Sequence, residues 1–225
     1  MKQLLCLLFI FTLSNFGICQ NKTIPDGFVY VKQLIPDIQI DLRYAGHHNF
    51  VGRPMPGYNE AEIILTKQAA EALQKVQLEL EDQGYCLKIF DAYRPQRAVN
   101  YFMEWARKPE DTLTKSEFYP DIAKHNLFEL GYIATRSGHS RGSTLDLTLV
   151  DANTLKEIDM GGTYDYFGEI SHLNTSQINE EQKKNRELLK SVMSKYGFRS
   201  YSEEWWHYTL RNEPFPDTYF DFEIE

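Results

Sequence analysis

Ser137-Gly-His139-Ser-Arg-Gly142-Ser-Thr-Leu-Asp146 runs directly into Leu145-Asp-Leu-Thr-Leu-Val150. The first part is a turn of small residues and the second reads as a buried strand. The junction places an imidazole and a carboxylate seven positions apart. A carboxylate between leucines is costly to bury unless it is paired, hydrogen-bonded or bound to a metal. His139 and Asp146 are therefore candidate ligands of a zinc ion. The alternative is a solvated histidine beside an aspartate on the wet face of an edge strand. A third candidate ligand, His207, arrives much later in Glu204-Trp-Trp-His207. Three protein ligands plus one open position is the pattern of a catalytic zinc site.

The two tryptophans beside Glu204 form an apolar wall, which raises the pKa of a neighbouring carboxylate. A carboxylate so tuned suits a general base next to a metal-activated water. Glu204 is the candidate, with Glu203 as the fallback; a tryptophan-rich core corner with surface charges is the structural alternative. Arg94, in Asp91-Ala-Tyr-Arg-Pro95, follows a buried strand. It suits stabilisation of an oxyanion, or equally a salt bridge to Asp91. Asp165 stands in a Gly/Tyr/Phe-rich loop, where it either binds a substrate ammonium or shapes a turn. His47, His48, His125 and His172 have no partner at ligand spacing, and His172 and Ser137 are the neighbours expected to touch the site.

Around these residues the chain reads as follows. Phe28–Val31 and Ile38–Leu42 are strand-like, and 44–58 is a long aromatic-bearing loop. Thr66 caps a helix that Gly84 ends, with Ala69, Ala70, Leu73, Val76 and Leu80 as its apolar stripe. A strand at 85–90 follows, then a helix that Pro95 opens and that continues through 98–107. Residues 124–130 are helical or turn-like, and 151–174 is a loop suited to a lid or pocket wall. Asn179 and Gln182 mark a capping box for a helix that stops at Gly197. Residues 206–210 form a final strand. Strands and helices do not alternate regularly, so the expected fold is α+β, a single domain with a central antiparallel sheet flanked by helices.

Residues 1–19 carry Lys2, an apolar run at 4–13, and small residues Gly17 and Cys19 ahead of Gln20, which is the pattern of a secretory signal peptide. The expected mature domain is 20–225, exported and periplasmic, with no stable membrane insertion after cleavage; acylation at Cys19 is the alternative. Cys86 is then the sole cysteine, and it reads as a buried small hydrophobe. The formal charge of −8 becomes −9 without Lys2, and no basic stripe tracks a groove, which argues against nucleic acid. The oligomeric state is not legible. There is no His-Glu-x-x-His helix, no phosphate loop and no Gly-x-Ser-x-Gly elbow.

The pattern Ser137-x-His139-x-x-Gly142-x-x-x-Asp146 with Glu204-x-x-His207 resembles the VanX-type zinc D-alanyl-D-alanine dipeptidases, which share a fold with hedgehog domains and D,D-peptidases. Asp41-Leu-Arg-Tyr-Ala45, Asn49-Phe-Val-Gly52, Asp91-Ala-Tyr-Arg-Pro95, Asp159-Met-Gly161 and Phe167-Gly-Glu-Ile-Ser-His172 extend the resemblance in the same order, from about residue 31 to 208. The resemblance implies one Zn2+ held by His139, Asp146 and His207, Glu204 as catalytic base, and Arg94 as stabiliser of the tetrahedral intermediate. It implies that Ser137 and Asp165 hold a dipeptide, D-Ala-D-Ala, which is cleaved to two D-alanines. Two positions depart from the family pattern: Thr144 stands where a small residue such as alanine is usual, and Gly138 is smaller than expected. A D,D-carboxypeptidase or peptidoglycan endopeptidase of the same superfamily, and a non-enzymatic zinc-binding domain, are the alternatives. Export suits wall recycling or scavenging better than resistance, because D-Ala-D-Ala is made in the cytoplasm.

Overall fold

The computed structural model describes residues 24–225. The expected leader at 1–19 lies outside them. In chain order the elements are β1 (Phe28–Tyr30), β2 (Gln39–Ile40), β3 (Ile64–Thr66), α1 (Lys67–Glu81), β4 (Tyr85–Asp91), α2 (Gln96–Ala106), α3 (Lys115–Phe118), β5 (Thr144–Asp151), α4 (Glu180–Lys195), β6 (Phe198–Ser200) and β7 (His207–Leu210).

The helices begin and end for local reasons. Thr66 accepts a hydrogen bond from the Ala69 amide at the start of α1, which satisfies one of the unpaired donors of the first turn. Asn179 and Gln182 form the reciprocal capping box of α4. The α1 stripe Ala69, Ala70, Leu73, Val76 and Leu80 is fully buried, and α1 packs on β4 and α4.

Five strands make the main sheet, in the order β2-β4-β5-β7-β6, and β1 pairs with β3 in a separate two-stranded sheet. The α+β class matches expectation. The main sheet is antiparallel except at its edge, where the short β2 runs parallel to β4. Two strands were not legible in the sequence, β3 and β6; each is three residues long, too short to show a period.

β5 is buried on both faces along nearly its whole length. Leu145, Leu147 and Leu149 point into the core shared with α1 and α4. Each contributes about 1.5–3 kcal/mol by leaving water. Asp146 and Thr148, at the alternate positions, face the opposite side. A second cluster, rich in aromatics, includes Tyr44, Phe50, Phe102 and Phe167. Cys86 is only partly buried, contrary to expectation. It sits near the far end of β4, opposite Val150.

Candidate metal centre and pocket

The sheet register assembles the site. Asp146 is paired across the ladder with Asp91 of β4 on one side and with His207 of β7 on the other. Three chemistry-bearing residues, separated by 55 and 61 positions, thus stand in one row. His139 comes from a tight turn just before β5, Gly138–Arg141, in which the Ser137 hydroxyl accepts from the His139 amide at 3.3 Å. Gly142 closes that turn with φ 81°, a left-handed conformation that favours glycine. The Phe28 ring occupies the place where its Cβ would stand.

The candidate ligand atoms of His139, Asp146 and His207 all lie within 4.8 Å of one another. Asp146 Oδ1 is 3.3 Å from His139 Nε2 and 3.0 Å from His207 Nδ1, yet it is buried with no hydrogen bond of proper geometry. The other oxygen, Oδ2, accepts from the Tyr164 hydroxyl at 3.1 Å and lies 3.6 Å from Arg94 Nη2. His139 Nδ1 stands 2.8 Å from the Ala92 carbonyl. Only a protonated Nδ1 satisfies that oxygen, so the Nε2 lone pair is directed at the cluster. Two imidazoles and one orphaned carboxylate oxygen converging on a common point are a donor set that fits a divalent cation such as zinc.

Burial by itself would raise the Asp146 carboxyl, but His139 and His207 outweigh it and hold it well below the usual carboxylate range. Burial holds the His139 imidazole down, in the neutral form a metal requires. For His207 burial also works downward, but contact with Asp146 and proximity to Glu204 prevail and raise it. Glu204 is pushed up to about 7 by burial, against the pull of His207, whose Nδ1 lies 3.4 Å from its Oε2. Trp205 and Trp206 beside it are buried.

Arg94 fulfils the salt-bridge alternative and also reaches the cluster. Its Nε donates to Asp91 Oδ2 at 2.8 Å, and its guanidinium packs against the rings of Tyr44 and Phe102. Ser137, Asp165, Arg94 and Glu204 line one cavity with the three candidate ligands, of about 280 Å³. Asp165 is both a turn residue and a pocket wall. It has φ 62°, it is buried, and it accepts from the Tyr44 hydroxyl at 2.8 Å. Burial, then the Asp146 charge, lift its carboxyl well above the usual range.

His172 is not among the residues lining this cavity; its carbonyl instead accepts from Arg186. Asp91 was expected only as the salt-bridge partner of Arg94, and Tyr44 and Tyr164 had no expected role at the site. Asp91 accepts from the Tyr58 hydroxyl at 2.7 Å as well as from Arg94. Tyr44 was signalled by its place in Asp41-Leu-Arg-Tyr-Ala45, and Tyr164 only by the loop at 151–174 read as a pocket wall.

Residues 25–225 match the family described as D-ala-D-ala dipeptidase, peptidase M15. A relative described as D-alanyl-D-alanine dipeptidase, from Streptomyces coelicolor, is 46% identical over 197 residues, covering 88% of this chain and 98% of its own length. One of the same description from Enterococcus faecium is 43% identical over 199 residues, with 88% and 98% covered. Another from Escherichia coli is 34% identical over 177 residues, with 79% and 81% covered.

Proposed function

The chain belongs to the peptidase M15 family of D-Ala-D-Ala dipeptidases, and from that premise we propose that it is an exported, zinc-dependent enzyme that hydrolyses D-Ala-D-Ala to two D-alanines. The observation that carries the reading is the orphaned Asp146 Oδ1 between His139 Nε2 and His207 Nδ1. His139, Asp146 and His207 would hold one zinc ion per chain. Zinc in such a site polarises a carbonyl and brings the pKa of a bound water towards about 7.

Glu204 is the base. Its carboxylate takes a proton from the attacking water as the C–O bond forms and the carbonyl becomes a tetrahedral oxyanion; it then delivers that proton to the amine nitrogen as the oxyanion collapses and the C–N bond breaks. Arg94 stands beside Asp146 with a guanidinium available to the negative charge that develops on the carbonyl oxygen. Ser137 and Asp165 hold the dipeptide. An arriving ammonium would favour the ionised form of Asp165, against the burial that raises its carboxyl.

The small cavity supports a dipeptide over a polymer. Glu204 and Arg94 in its lining support an enzyme over a zinc-binding interaction domain. Residues 1–19 support export to the periplasm, with acylation at Cys19 as the variant outcome. Among the described residues no helix is long and apolar enough to cross a membrane.

The test is a zinc-dependent assay against D,D-, L,D- and L,L-dipeptides and a muropeptide. Turnover of D-Ala-D-Ala well above the rest is expected. Preference for the muropeptide would replace the dipeptidase reading with the endopeptidase one.

A further inference from the structure

Two arginines line the cavity, and they differ in what they already touch. Arg94 is deep in the cavity: its Nε is held by Asp91 and its Nη2 lies 3.6 Å from Asp146, with aromatic rings on its faces, which keeps it beside the reacting carbonyl. Arg136 is exposed at the mouth. It pairs with no carboxylate among the described residues. Its guanidinium carbon lies 5.1 Å from the centre of the Tyr219 ring, a contact that orients the planar fork without neutralising it. Arg141, on the same ring, is by contrast held by both oxygens of Glu213 at 2.7 and 2.8 Å.

A dipeptide is a zwitterion with its charges at opposite ends. The cavity offers a buried carboxylate, Asp165, and at its rim an arginine with no anion. Arg136 immediately precedes Ser137 in the chain, so its backbone is fixed by the same capped turn that carries His139.

We propose that Arg136 anchors the free α-carboxylate of the substrate and so restricts the site to peptides that end one residue after the scissile bond. This deepens the dipeptidase reading and rests on it. A guanidinium matches a carboxylate with two parallel hydrogen bonds, which lysine cannot reproduce. A substrate whose chain continues, or whose carboxylate is capped, brings no charge to that fork. Arg136 is thus a specificity-determining residue, and the reacting atoms are left to Glu204 and Arg94.

The experiment compares kcat/KM for D-Ala-D-Ala and for D-Ala-D-alaninamide in the zinc-loaded wild type, Arg136→Ala and Arg136→Lys. The wild type is expected to prefer the free acid by about fivefold, the upper scale of an ion pair at an exposed rim. In Arg136→Ala that ratio falls towards one, chiefly through KM for the free acid, and Arg136→Lys retains an intermediate ratio. An active wild type whose preference for the free acid is unchanged in Arg136→Ala overturns the role of Arg136 and leaves the dipeptidase reading standing. A wild type inert on D-Ala-D-Ala overturns the dipeptidase reading, and the anchor with it.

Discussion

The hydroxyl of Thr144 fills the space that a side chain on residue 138 would need: a Cβ on Gly138 would stand 2.6 Å from Thr144 Oγ1. The two positions expected to depart from the family pattern therefore stand against each other in space. Thr144 is buried, and its hydroxyl shares a hydrogen bond with Thr209 at 2.9 Å, so it cannot simply rotate away. Substituting Gly138→Ser should cost about 1–3 kcal/mol by overpacking. Thr144→Ala should cost about 1 kcal/mol, because Thr209 loses its partner. The double variant should be more stable than the sum of these losses implies, with a coupling of at least about 1 kcal/mol in urea denaturation. Strictly additive losses would contradict the steric account.

Glu204→Ala should bind zinc with unchanged stoichiometry and lose at least about a hundredfold in kcat, the usual worth of a positioned general base. His139→Ala should instead lose the metal itself. Metal analysis and turnover of the same preparations separate the two. A Glu204→Ala enzyme with near-normal kcat removes Glu204 from the role assigned to it.

The pH dependence follows from the Glu204 carboxyl, at about 7 without metal. A base must be ionised to act, so kcat/KM should fall about tenfold per unit on the acid side of its midpoint. A cation at the neighbouring cluster favours the carboxylate, which places that midpoint at or below about 7. Stability carries the opposite sign. A carboxyl raised in the folded state contributes stability at low pH that is lost as pH rises through its folded value. Metal-free Glu204→Gln should therefore gain on metal-free wild type as pH rises from about 4.5 to about 7 and level off above that. Parallel stability profiles for the two would show that burial does not perturb this group.

Arg186 of α4 organises the loop that carries Asp165. Its guanidinium donates to the carbonyls of Met160 at 2.6 Å and of Ile170 and His172 at 2.9 Å each. Trp205 in turn donates its amide to the Ser171 carbonyl at 2.9 Å, which ties the loop to the segment of Glu204 and His207. Arg186→Ala leaves one buried and two part-buried acceptors without their donor and should cost about 1–3 kcal/mol. Arg186→Lys, with a single ammonium, should recover only part of that loss. A neutral Arg186→Ala in thermal or urea unfolding would mean the loop is held by other contacts.

Much of the site was legible because its chemistry is local in type. A carboxylate flanked by leucines, an imidazole before a glycine turn and a glutamate beside two tryptophans each violate an ordinary pattern of burial, and each violation points to a function. Capping residues made the long helices legible for the same reason: the Thr66 and Asn179 side chains satisfy amides only a few positions away. The short strands β3 and β6 gave no such sign: each has three residues, too few for a period, and the partner of β3 lies in the distant β1.

By itself the sequence determined the α+β class, the three long helices and the identity of the groups able to bind a metal, because periodicity, capping and the cost of burying charge act within a few residues. Tertiary structure alone decided that Asp91, Asp146 and His207 share one row of the sheet, that Tyr164 and Arg94 occupy one oxygen of Asp146 while the other is left free, and that Thr144 excludes a side chain at 138. The row depends on strand register across 55 and 61 positions of chain, and the other two on how side chains pack in space, which no local preference encodes.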